Sequence, residues 1–204
     1  MNTLRTMIPA LVLTIFAAAA QAQSVWLEAE CGQVGSLWNR SNDGGASNSQ
    51  YVVIQPGNNS TASAPTNTAG HIAFPIGVTQ GGTYTLFARV LGPTANDDSY
   101  WVSMDGGSWV MWNNWWTTSW AWKQFPNTFN LTAGNHTLTL AFREDGAQLD
   151  KLSLSTSSTV PTGTGSPATN CSGGPTLSVS PTTVNVAAAA NGPAALVCSG
   201  TYEC

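Results

Sequence analysis

Between residues 24 and 155 the chain consists of short runs in which every second residue is apolar, separated by turn-forming sequences. The run IAFPI at residues 72–76 alternates in this way, and the sequence DGG at 105–107, which favours a tight hairpin, follows another such run. A period of two is that of a β-strand with one buried face. No segment after the first residues has a convincing helical period, so we expect about eight to ten strands in an all-β, antiparallel jelly-roll sandwich.

The first 22 residues have the pattern of a secretory signal peptide. Arg5 precedes an apolar run, and the sequence from Ala20 to Ala22 is the small-x-small signal of a cleavage site after Ala22. The apolar run is too short to span a bilayer well, and no later segment does so. We therefore expect a secreted or cell-surface bacterial protein, a monomer without a membrane partner. Because the net charge is −4, we expect no nucleic-acid partner either.

The sequence changes character after residue 155. Residues 156–174 are rich in Ser, Thr, Pro and Gly and lack large apolar residues, which is typical of a linker. The sequence TLSVSPTTVNV that follows resembles the first strands of an immunoglobulin-like module, but the alternation ends near residue 190. Two strands cannot bury a core of their own. We therefore expect 175–204 to be a truncated immunoglobulin-like fragment, and 156–204 to be a largely disordered C-terminal tail.

The four cysteines are Cys31, Cys171, Cys198 and Cys204. Their spacing forms no CxxC pair or Cys/His cluster of the kind that binds zinc or performs redox chemistry. Export permits disulfides, and a bond between Cys31 and Cys171 would join the start of the domain to the trailing linker. This pairing is a hypothesis, and the state of the other two cysteines stays open.

Six of the nine tryptophans lie between residues 109 and 122, among Asn, Ser and Thr. A buried β-core contains few indoles, because each indole N–H needs a partner. A flat aromatic ring with one donor suits the face of a sugar ring. For any single tryptophan a core position is an equal alternative, but we interpret the cluster as a binding surface.

Four motifs occur in a familiar order along the chain. They are LEAE at 27–30, GGTYTLFARV at 81–90, TAGNHTLTLAF at 132–142 and LDKL at 149–152. Together they resemble carbohydrate-binding modules of families 6 and 35, which are jelly-roll sandwiches attached to secreted glycoside hydrolases and polysaccharide lyases. The resemblance implies noncatalytic binding of a polysaccharide or oligosaccharide by residues 23–155. It also implies targeting of an attached, or formerly attached, polysaccharide-degrading enzyme.

The resemblance further implies a structural calcium ion held by Glu28, Glu30 and Asp150. Residues two apart in a strand point to the same side, so Glu28 and Glu30 could converge on one hard cation. Two solvated acidic side chains at an exposed edge are the alternative.

Carried over by position, the family's sugar-binding residues fall on Tyr51, Trp120 and Gln148, although Gln148 stands where these families usually have Asn. We expect Trp112, Trp115 and Trp116 to extend this surface.

A β-sandwich hydrolase or lyase is a less favoured alternative. Its acid pairs would be Asp97-Asp98 and Glu144-Asp145, but adjacent acids at turns are poorly arranged to face each other across a cleft. Neither histidine has the sequence context of a nucleophile, such as G-x-S-x-G. We therefore expect no enzymatic activity. A secreted structural or adhesive surface protein is the main alternative to a carbohydrate-binding module.

Overall fold

The computed structural model describes residues 22–171, which form two antiparallel sheets facing each other. The prediction of an all-β antiparallel sandwich is confirmed. The predicted signal peptide, apart from its last residue, and the predicted immunoglobulin-like fragment lie outside the described residues. Within residues 22–171, no helix has the length and hydropathy needed to span a membrane.

The strands are β1 Ser24–Glu28, β2 Gln33–Val34, β3 Trp38–Asn42, β4 Gln50–Ile54, β5 His71–Val78, β6 Gly82–Gly92, β7 Tyr100–Met104, β8 Val110–Trp112, β9 Thr117–Leu131, β10 Gly134–Phe142 and β11 Gln148–Ser155. Three 3₁₀ turns interrupt them, at Ala29–Cys31, Ser47–Ser49 and Thr68–Gly70.

One sheet has the order β3-β4-β11-β6-β9, and β1 also pairs with β11. The other sheet has the order β2-β5-β10-β7-β8. Strands β4 and β1 pair with successive parts of β11, opposite Gln148–Leu149 and opposite Lys151–Ser155. The register against β6 shifts between Leu149 and Lys151, so Asp150 is the extra residue of a bulge. This bulge lies where β1 ends, and it brings Asp150 close to the residues at that end.

The core lies between the sheets and is built from the alternating apolar residues of both. Strand β10 shows the pattern, since Leu138, Leu140 and Phe142 point inward while Thr137 and Thr139 are only half-buried on the other face. In β4, Val52 and Ile54 are buried in the core, so Tyr51 and Val53 lie on the outer face of the six-stranded sheet.

Residues 156–171 pack against the sandwich, unlike the disordered linker expected from their composition. Trp122 Nε1 donates to the Gly163 carbonyl at 3.0 Å, and Gly165 lies against the indoles of Trp26 and Trp122. Cys171 forms a disulfide with Cys31, which confirms the hypothesis about this pair. The physical reason for the difference is that contacts with distant residues fix a segment whose own composition favours no structure.

Candidate functional site

The tryptophans between residues 109 and 122 have different positions in the fold. Trp116 is 55% exposed, and its backbone N–H donates to Asp98. Trp112 and Trp115 are only 3% and 4% exposed, because both pack into the core, where Trp115 lies 5.3 Å from the ring of Tyr100. The structure therefore corrects the expectation that Trp112 and Trp115 belong to a binding surface.

The structure brings Tyr51 and Trp120 together, as predicted for two members of one site. Their ring centroids are 5.3 Å apart with an interplanar angle of 63°, and both side chains are half-buried. Trp120 Nε1 donates to the Asp43 carboxylate at 3.2 Å. The guanidinium carbon of Arg89, a residue only 8% exposed, lies 5.7 Å from the Trp120 ring centroid. These contacts fix the orientation of what we call the aromatic pair, Tyr51 and Trp120.

Gln148 begins β11 and lies opposite Val53 of β4 and Leu91 of β6. Because the next residue, Leu149, is fully buried in the core, Gln148 lies on the same outer face as Tyr51, one strand away. Its side chain is half-buried and has no hydrogen-bond partner within residues 22–171, so the amide is free to bind a ligand.

The predicted calcium ligands are buried near the end of β1, with Glu28 at 2%, Glu30 at 6% and Asp150 at 0% exposure. Glu30 lies in the 3₁₀ turn that follows the strand, so the expectation that it shares a strand face with Glu28 is wrong. Glu28 Oε1 lies 2.8 Å from Lys151 Nζ and accepts the Ser47 hydroxyl at 2.8 Å.

Asp150 uses both carboxylate oxygens within the protein. One oxygen pairs with the Arg89 guanidinium, and the other accepts the Ser47 backbone N–H at 2.8 Å. Burial raises the pKa of Asp150 to about 6, and the interaction with Arg89 opposes that rise. Asp150 is therefore a partner of Arg89 in this arrangement, and a cation bound here would share the carboxylate with Arg89 and Ser47.

Glu28 and Glu30 do offer free oxygens for a cation. The Oε2 atoms of both residues are buried and have no hydrogen-bond partner. Burial also raises the pKa of Glu30, because the charged form loses water. Ser47, Asn48 and Ser49 border a cavity of about 500 Å³ beside Glu28. Each of these two unpartnered carboxylate oxygens is the kind of ligand that a hard cation prefers.

The acid pairs of the hydrolase alternative hold loops at one end of the sandwich. Asp98, which is 1% exposed, accepts the Trp116 backbone N–H, and its own N–H donates to Glu144. Glu144 pairs with Arg143 at 2.7 Å, and Asp145 accepts the Gly57 N–H at 2.6 Å. Burial raises the pKa of Asp98. These hydrogen bonds account for the pairs as loop-ordering groups.

Neither a protein-family model nor a curated protein sequence matches this chain. Solved structures do match its fold. A family 35 carbohydrate-binding module from Clostridium thermocellum superposes with a TM-score of 0.51 at 22% identity, covering 64% of this chain and 98% of the module.

Two larger structures match over one part of their length. The Podospora anserina GH26-CBM35 β-(1,4)-mannanase gives a TM-score of 0.52 at 17% identity, with 68% of this chain and 28% of that chain covered. The exo-β-1,3-galactanase of Phanerochaete chrysosporium gives 0.51 at 19% identity, with 64% and 29% covered. This chain therefore spans less than a third of either enzyme. At these identities the shared property is the fold, and the described domain is a β-sandwich like that of carbohydrate-binding modules.

Proposed function

We propose that residues 23–155 bind a polysaccharide or oligosaccharide without cleaving it. The observation that carries the proposal is the half-exposed aromatic pair on the outer sheet face, next to the free amide of Gln148. Aromatic rings stack on the C–H face of a sugar, and an amide offers both a donor and an acceptor to its hydroxyls. The fold shared with a family 35 module supports this function.

The aromatic pair is ordered before a ligand arrives. Asp43 holds the indole N–H of Trp120, Tyr51 packs edge-on to its ring, and Arg89 lies beside it. Side chains that are already ordered lose little conformational entropy on binding, which favours affinity for a weakly bound ligand such as a sugar. Trp116, which is largely exposed, would extend the surface for a longer chain.

In this proposal the module is secreted, is monomeric, and carries an attached or formerly attached polysaccharide-degrading enzyme to its substrate. The mannanase and galactanase, in which a similar fold occupies under a third of the chain, support that arrangement. A structural or adhesive surface protein is the second candidate, since such a protein could use the same sandwich. Failure to bind any saccharide would favour it.

We also propose that Glu28 and Glu30 hold a structural calcium ion through their unpartnered oxygens. Bound calcium would join the end of β1 to the turn that follows it. Lys151 and Arg89 already neutralise Glu28 and Asp150, so the ion would chiefly compensate the charge of Glu30.

Affinity electrophoresis through β-glucans, xylan, mannan, pectins, alginate and agarose tests the binding function. We expect retardation by one class of polysaccharide, weakened by Gln148→Ala. Gln33→Ala is the matched control, because Gln33 is exposed on the other sheet and should leave retardation unchanged. No retardation of the folded protein by any polysaccharide, with calcium present, would contradict the proposal.

A further inference from the structure

Strand β1 pairs with β11. Residues 169–171, the last ones that the structure describes, also bind to β1 and to the turn that follows it. The backbone N–H of Thr169 donates to the Trp26 carbonyl at 3.2 Å. The Asn170 side chain accepts the Glu28 N–H and donates to the Glu28 carbonyl, both at 2.8 Å. Cys171 is then covalently joined to Cys31. We call residues 169–171 the clamp.

The clamp contacts both ends of the short segment that carries the two glutamates of the proposed cation site. Asn170 fixes the backbone of Glu28, and the disulfide fixes Cys31, which directly follows Glu30. The turn Ala29–Cys31 receives no side-chain cap hydrogen bond from the residue before it, Glu28. The backbone of this segment is therefore held by contacts from about 140 residues further along the chain, together with the hydrogen bond that Arg40 Nε donates to the Glu30 carbonyl at 2.8 Å.

The clamp also borders the space from which an ion would enter. Cys171 lines the cavity beside Glu28, and Asn48 Nδ2 lies 3.7 Å from Cys171 Sγ and 3.4 Å from Glu30 Oε1. Loss of the disulfide would free Cys171 from the wall of this cavity and would release Cys31, which directly follows Glu30. Calcium needs several oxygens converging at 2.3–2.6 Å, so its affinity falls when they are no longer held together.

We propose that the clamp residues Asn170 and Cys171 are positioning residues of the cation site, and that opening the disulfide weakens binding of calcium. The inference rests on the cation site proposed above. A dithiol reductant, itself oxidised to a disulfide, would convert Cys31 and Cys171 to two thiols and so lower the affinity. The site would thus bind its ion best in an oxidising environment.

Isothermal titration of calcium into the full chain tests the inference. Against the oxidised wild type, we expect at least about tenfold weaker binding by Cys31→Ser/Cys171→Ser and a smaller loss for Asn170→Ala. The matched control is Asn58→Ala, which removes a similar side-chain bond, to the Gln55 carbonyl at 2.8 Å, in the turn after β4. Reduction of the wild type should reproduce the effect of the double serine variant, and circular dichroism verifies that each protein is folded.

The outcomes separate the two proposals. Equal calcium affinity in the oxidised wild type and the folded double serine variant would overturn the role of the clamp and leave the cation site intact. No calcium binding by the oxidised wild type would overturn the cation site, and the inference with it. Weaker calcium binding by the folded double serine variant, with no further loss on reduction, would support the inference and exclude an effect of Cys198 and Cys204.

Discussion

Substitution by alanine should destabilise the fold strongly at Trp115 and hardly at all at the adjacent Trp116. Trp115 is 4% exposed and contacts the rings of Tyr100 and Trp112. A buried tryptophan removes about 200 Å² from water, which corresponds to about 5 kcal/mol at about 25 cal/mol per Å². The indole N–H of Trp115 is buried without a partner, a cost of about 1–3 kcal/mol that the substitution removes. We therefore expect Trp115→Ala to lose about 3 kcal/mol.

For a domain of this size, a loss of about 3 kcal/mol lowers the melting temperature by roughly 6–12 °C. Trp116→Ala is the control, and because its side chain is 55% exposed we expect a change within about 0.5 kcal/mol. Trp115→Phe should cost less than Trp115→Ala, since it keeps most of the apolar contact and removes the unpaired N–H. Thermal and urea unfolding of the oxidised proteins measure these values. Similar stabilities of the two alanine variants would refute the burial of Trp115 described above.

Other predictions concern the cation site, a charged pair and the docked segment. A chelator should lower the melting temperature and calcium restore it, whereas Glu30→Gln should abolish the response; an unchanged wild-type melt would contradict the site. The hydrogen bond that protonated His136 donates from Nδ1 to the Asp105 carboxylate raises the pKa of His136, so the pair stabilises the fold fully below about pH 6.5 and loses its effect as pH rises through the higher folded pKa. The stability difference between wild type and His136→Gln should therefore shrink above neutral pH, and a difference that grows with pH would be evidence against the pair. Gly165→Ala should release the docked segment to limited proteolysis more than Gly163→Ala, because both glycines have positive φ but only at Gly165 would a Cβ collide with the indole of Trp26; equal cleavage would argue against this packing.

The strands were predictable because one buried face imposes a period of two on each. The hairpin between β7 and β8 was also predictable, since Asp105 and Gly106 both have positive φ, as such a tight turn requires. The fates of individual tryptophans were harder to predict. Trp112 alternates with Val110 towards the core, a signal present in the sequence. Trp115 follows a loop residue, Asn114, with positive φ, and its burial depends on how that loop folds over Tyr100.

Contacts between distant residues also explain the other differences. The composition of 156–171 indicates flexibility, and only Cys171 signalled that the segment is attached to the domain. The partnership of Asp150 with Arg89 was hidden because the two residues lie on neighbouring strands, next to a bulge that no local pattern announces. Glu30 falls just beyond the strand end, which moves it from the strand face to a turn.

Hydroxyl-radical footprinting of the oxidised full chain, with and without the polysaccharide that retards it, tests sugar binding by the aromatic pair most directly. This method uses the unsubstituted protein, so every side-chain contact of the site is still present when the measurement is made. We predict that the saccharide suppresses oxidation of Tyr51 and Trp120, while Met111, which is 47% exposed on the other sheet, is oxidised equally in both samples. Protection of Met111 without protection of Tyr51 and Trp120 would place the binding surface elsewhere and contradict the proposed site.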